Sequence, residues 1–138
     1  MYEPHARATS TAFLEAYRRC MTDAPETSEA MFIPALVCAA FSAEVGLKSL
    51  LLQAGKPARG HDLFALFEQL PSNNKTDIIR LVDLAPEAFL TNLAHIRDAF
   101  PEWRYMYEFQ DERMISIVFV AKFAAAVVQA NPLNHNVA

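Results

Sequence analysis

Apolar side chains recur along this chain at intervals of three and four, the spacing that lines one face of an α-helix. From about Pro4 to Met21 the positions Phe13, Ala16, Tyr17 and Cys20 share such a face, with Arg18 and Arg19 on the other side. The stretch Asp23-Ala24-Pro25-Glu26-Thr27-Ser28 breaks the pattern, and Thr27 or Ser28 can cap the next helix. That second helix, about Glu29 to Ala54, is apolar nearly all the way round: Phe32, Ile33, Leu36, Val37, Cys38 and Phe41, then Val45, Leu47, Leu50, Leu51 and Leu52. A helix with no wet face belongs at the centre of a bundle. Pro34 lies past its first turn and predicts a kink there. Gly55 followed by Pro57 ends it.

His61-Asp62 opens a third helix with Leu63, Phe64, Leu66, Phe67 and Leu70 as its buried stripe, and Pro71-Ser72-Asn73-Asn74 terminates it. A shorter amphipathic piece carries Ile78, Ile79 and Leu81. Another, about Pro86 to Ala99, carries Phe89, Leu90, Leu93 and Ile96. Pro101 then interrupts and can start a new turn. Asp111 can cap a last helix through Met114, Ile115, Val118, Phe119, Phe123, Val127 and Val128. Within it, Ile115 to Val120 is β-branched enough to form a strand in isolation. The apolar pattern continues into Ala124-Ala125-Ala126, which favours helix. The expected class is all-α, an up-and-down bundle of four to five main helices.

Composition narrows this further. The chain has 138 residues, 53% hydrophobic and 20% charged, with 3 Gly. That is one domain's worth, residues 1–138, too apolar for a disordered chain and large enough to need no staple. Residues 131–138 read as a flexible tail. A formal charge of −4 argues against an all-over polyelectrolyte surface for nucleic acid or anionic membrane, while leaving room for a local basic site. The start lacks the basic and apolar segments of a signal peptide. The longest apolar stretch, Met31 to Ala43, falls short of the roughly 20 residues of a membrane span. Cys20 and Cys38 stand apart within helical segments, as free reduced thiols do. A cytoplasmic protein is expected.

The polar residues that break the pattern carry the candidate chemistry. Glu44 and Lys48 stand one turn apart inside the central helix, in the favourable order for an ion pair. The plainer reading is a structural pair at the bundle edge; the functional one is a polar pocket wall. The loop Gly55-Lys56-Pro57-Ala58-Arg59-Gly60-His61-Asp62 offers cations that can hold phosphate, without the order of a P-loop, or is a solvated turn in which Asp62 or His61 caps the third helix. Trp103-Arg104-Tyr105-Met106-Tyr107-Glu108 sets aromatic rings beside Arg, an arrangement that stacks bases or wraps the end of a bundle. Arg104 and Glu108 can pair with each other if this piece is helical. The four histidines show no metal-ligand spacing, so no metal and no cofactor is expected.

These residues also carry a resemblance. Phe41-Ser42-Ala43-Glu44-Val45-Gly46-Leu47-Lys48-Ser49-Leu50-Leu51-Leu52, then Gly55 and Gly60-His61-Asp62-Leu63, resemble the small bacterial HEPN domains, in which a central helix bearing Glu and Lys leads into a Gly-His-Asp-Leu third helix. Trp103-Arg104-Tyr105 with Tyr107-Glu108 is similar to one branch of that superfamily, and the resemblance spans roughly Phe32 to Phe123. It implies an up-and-down α bundle, frequently dimeric. Many such proteins are metal-independent ribonucleases of toxin–antitoxin and phage-defence systems, and others are non-catalytic partners of minimal nucleotidyltransferases.

The ribonuclease branch carries an Arg-x4–6-His motif, which this chain lacks. Arg59 and His61 are separated by a single residue, and after Arg97, Arg104 and Arg113 the next histidine is His135. No catalytic residue carries over. The expected function is therefore a non-catalytic HEPN-like binding or partner module, with Glu44, Lys48, Arg59, His61, Asp62, Arg104, Tyr105 and Glu108 around a pocket for a nucleotide, RNA or partner protein. A nucleotidyltransferase or an antitoxin would be such a partner, and a homodimer is expected. The alternatives are a divergent ribonuclease, with His61 carrying the proton and Arg104 clamping phosphate, and an oligomeric structural protein without ligand.

Overall fold

The computed structural model describes residues 3–22, 28–97 and 110–132, and every element among them is helical. Six helices follow in order: α1 (Glu3–Thr22), α2 (Ser28–Gln53), α3 (Leu63–Glu68), α4 (Ser72–Val82), α5 (Pro86–Ile96) and α6 (Gln110–Ala130). The β-branched run Ile115 to Val120 lies inside α6, so helical context overrides its strand propensity. The Trp103 to Glu108 segment and the Thr27 cap fall outside the described residues.

The two helices that flank α2 are α1 and α6, and they run in opposite senses. Along α1 and α2, Ser10 meets Ser42, and the Phe13 and Phe41 rings lie 4.5 Å apart, the ordering of an antiparallel pair. Along α2 and α6, Gly46 faces Val127 while Ser49 and Gln53 meet Asn131. Those two are therefore parallel. The three short helices α3, α4 and α5 carry the chain back between them, which modifies the simple up-and-down expectation.

Small residues set the spacing at the centre. Ala39, Ala40, Ala43 and Gly46 line α2 and are all buried. A Cβ at Gly46 would stand 2.6 Å from Val127 Cγ1 and 2.8 Å from Ser10 Oγ, so α1, α2 and α6 meet where no side chain fits. Beside that point the Ser10 hydroxyl donates to the Ser42 carbonyl at 2.8 Å, and the Ser42 hydroxyl donates to the Ser10 carbonyl at 2.7 Å. This reciprocal pair satisfies two buried hydroxyls and locks the register of α1 against α2.

The α1 stripe accordingly differs from the one the apolar pattern predicts. Its deepest positions are Ala6, Ser10 and Leu14, while Phe13, Ala16, Tyr17 and Cys20 are half-buried at the margin. Close approach to α2 selects small side chains and leaves the large ones to fill the flanks. A second core region joins α3, α5 and α6 through rings. Phe89 lies 5.0 Å from Phe67 and 5.8 Å from both Phe119 and Phe123, centroid to centroid, in the tilted and edge-on geometries aromatic pairs prefer.

Helix ends follow local chemistry. At the end of α2, Gly55 takes φ +72°, the Lys56 amide donates to the Leu51 carbonyl and the Gly55 amide to that of Leu52, which is a Schellman stop. The α2 helix continues through Pro34, whose side is exposed. Pro71 and Ser72 do not terminate the third helix, which stops at Glu68. Pro71 is instead the N-cap of α4, and Ser72 to Asn74 form its first turn. Asp111 falls inside the first turn of α6, which starts at Gln110. Leu90, expected in the α5 stripe, is exposed, as is Val118 on α6.

The segment Met31–Gln53 is long and apolar enough to cross a membrane by length and composition, and 72% of the tested window is buried within the bundle. Its apolar character runs past Glu44 through Val45, Leu47 and Leu50 to Leu52, and the two charges within it, Glu44 and Lys48, pair with each other. One residue of the expected flexible tail, Asn131, is held in the bundle. Asn131 is buried: its amide donates to Ser49 Oγ at 3.0 Å, and its carbonyl oxygen accepts from Gln53 Nε2 at 3.1 Å.

Candidate functional site

Glu44 is the focus of the only buried ionic cluster among the described residues. Its side chain is 4% exposed, and Lys48, one turn on along α2, donates from Nζ to Oε2 at 3.3 Å. The third member comes from the loop after α2. His61 Nδ1 lies 3.0 Å from Glu44 Oε1 and 3.2 Å from Oε2. An ionised carboxylate only accepts, so Nδ1–H donates to it, which leaves Nε2 as the second ring nitrogen on a side chain that is 71% exposed. A buried carboxylate is thus connected to the surface through one imidazole.

The next residue fixes the loop. Asp62 caps α3 by accepting from the Ala65 amide at 3.1 Å. Its other oxygen takes two hydrogen bonds from Arg97 at the end of α5, from Nε at 3.1 Å and from an Nη at 2.9 Å. The Arg97 carbonyl also accepts from the Leu63 amide, and the guanidinium sits 5.0 Å above the Phe64 ring. Burial pushes the Asp62 carboxyl up, but the Arg97 hydrogen bonds, the Ala65 and Phe64 amides and the Arg97 charge together outweigh it and hold the group below its ordinary value. Asp62 is thus a clamp that seats His61 over Glu44.

Of the residues expected at a pocket, the fold brings Glu44, Lys48 and His61 into contact and places Asp62 beside them in a structural role. Arg59 is exposed in the loop and does not join the cluster. Lys56 is tied back, donating to the Gln69 carbonyl at 2.7 Å. Arg104, Tyr105 and Glu108 lie outside the described residues. No group of His, Cys, Asp and Glu among the described residues is arranged to hold a metal ion.

Two features escape a reading of spacing alone. Arg97 reaches Asp62 across 35 positions, and its only sequence signal is a cation closing an amphipathic helix. The Ser49–Gln53–Asn131 network pairs a one-turn spacing on α2 with a residue that looks like tail. Comparison with known proteins finds no matching family model, no matching curated protein and no matching solved structure.

Proposed function

We propose that this chain is a non-catalytic, HEPN-like binding module of the cytoplasm, and that it holds the phosphate of a nucleotide or RNA at the bundle end bearing His61. The observation that carries this reading is the Glu44 carboxylate, 4% exposed, bridged to solvent by a His61 ring that is 71% exposed. Burying an ionic cluster costs free energy that apolar side chains of similar volume would not, so its retention needs a reason. Lys48 and His61 meet one buried carboxylate, and the exposed Arg59 precedes His61 in the same loop, a local set of nitrogen-bearing side chains on a chain that as a whole carries −4. The Asp62–Arg97 clamp beside it is internally neutral and supplies rigidity.

One observation favours a second reading. A carboxylate that orients an imidazole through Nδ1 leaves Nε2 free to accept a proton, as general acid–base chemistry requires. On that reading the same cluster cleaves RNA without metal.

A panel of single-stranded and hairpin RNAs and mononucleotides, tested in EDTA by fluorescence anisotropy and gel, separates these readings. The expected result is binding without cleavage by the wild type, lost in His61→Ala while the melting temperature is kept. Cleavage that His61→Ala abolishes establishes the second reading. Absence of both binding and cleavage overturns the phosphate-binding proposal and leaves the cluster as a structural ion pair. Lys48→Ala is the stability reference: leaving the buried Glu44 carboxylate with His61 alone should cost up to about 3–5 kcal/mol in urea unfolding.

A further inference from the structure

The loop between α2 and α3 ends in a built corner. Gly60 takes φ +90°, with open space where a Cβ would stand, so the turn needs glycine for its backbone and not for room. Asp62 is fixed from the other side by the Ala65 amide and by Arg97. Between them the His61 ring is aimed by Glu44, whose two oxygens lie 3.0 Å and 3.2 Å from Nδ1. The proton on Nδ1 faces the carboxylate, so the lone pair of the neutral imidazole is on Nε2, on a side chain that is 71% exposed. Lys48 meets the same carboxylate through Oε2 at 3.3 Å, a counter-charge for a buried group. His95, in the last turn of α5, is exposed too, but no carboxylate among the described residues lies within ion-pair distance of it.

We propose that His61 is a phosphoryl acceptor, its Nε2 taking a phosphoryl group covalently from a donor that carries it on nitrogen or on a carboxylate. A nucleophilic imidazole needs a lone pair at the surface and a partner that orients the ring. Nε2 provides the first and Glu44 the second. The lone pair attacks phosphorus, the bond from phosphorus to the donor's nitrogen or oxygen breaks, and the leaving group departs with that electron pair. The Nδ1 proton stays on the ring, which becomes an imidazolium, and the Glu44 charge 3.0 Å away offsets the positive charge as it forms. Nothing is oxidised or reduced. A carboxylate held by one ring nitrogen strengthens the other as an electron-pair donor, as it does in histidines that ligate metals. Transfer to Nε2 needs the Glu44–His61 contact and no reversible phosphate binding, so RNA or nucleotide binding can fail while transfer holds, and the reverse.

The test incubates the full chain with phosphoramidate, a donor with one phosphorus–nitrogen bond, and follows intact mass and the modified site by peptide mass spectrometry in alkaline buffer, where the phosphorus–nitrogen product survives. The expected product is heavier by about 80 Da. His61 should react about tenfold faster than His95, with phosphorus NMR placing the group on Nε2. His61→Ala should lose the fast phase and keep the melting temperature. Glu44→Gln should lower the His61 rate about tenfold, with circular dichroism reporting the fold. Should that variant not fold, the wild-type rates and the isomer still decide. Equal rates at His61 and His95, attachment at Nδ1, or a fast phase that survives in His61→Ala would each overturn the proposal.

Discussion

Asp62 accepts from the Ala65 amide on one oxygen and from Arg97 on the other, so two elements depend on a single ionised carboxyl. Its folded-state value is depressed. The stabilisation it contributes is therefore complete above the usual carboxylate range and is lost as pH falls through the lower folded value. Asp62→Asn keeps a competent cap but loses the ion pair. Urea unfolding measured from about pH 6 down to about pH 2 should show the variant less stable at the upper end, with the difference closing as acid removes the wild-type charge. At this scale the sequence was legible where partners lie one turn apart, as with Glu44 and Lys48, or at a helix start, as with Asp62. It was not legible where the chain must fold to join them. The His61–Glu44 contact spans 17 positions, and no helical spacing announces it.

Among the elements, the apolar rhythm located the helices well because burial drives it. It misplaced the inner face of α1 because closeness is achieved there by Ala6, Ser10 and Gly46, residues to which hydrophobicity assigns little weight. Gly46→Ala tests this packing. An alanine gains about 1 kcal/mol of helix propensity over glycine. Overpacking against the stiff Val127 and the hydrogen-bonded Ser10 costs about 1–3 kcal/mol, so a net loss of up to about 2 kcal/mol is expected in urea unfolding. The added Cβ meets Val127 Cγ1 at 2.6 Å, and a further Val127→Ala change should make the Gly46→Ala step less costly than it is in the wild type. Raised stability in Gly46→Ala alone, or a Gly46→Ala step no cheaper in the Val127→Ala background, would refute the tight crossing.

At the level of the whole molecule, α2 is the shared wall between α1 and α6, with Leu47 and Leu51 fully buried on it and Val120, Phe123 and Val127 buried on α6. Amide hydrogen exchange should be slowest in residues 39–51 and 119–127 and faster in α3, a helix of 6 residues with few intrahelical hydrogen bonds. Uniform protection across all six helices would contradict this. The all-α class was legible in the sequence, whereas the parallel setting of α2 and α6 was not, since the direction of a helix leaves no trace in its periodicity. That setting has a consequence for the newborn chain. Domains assemble progressively as they leave the ribosome, and α2 ends at Gln53 whereas its parallel partner starts only at Gln110. Throughout the interval, the face of α2 that α6 will cover has no native cover of its own, and holding it from aggregation falls to whatever chaperone attends the nascent polypeptide.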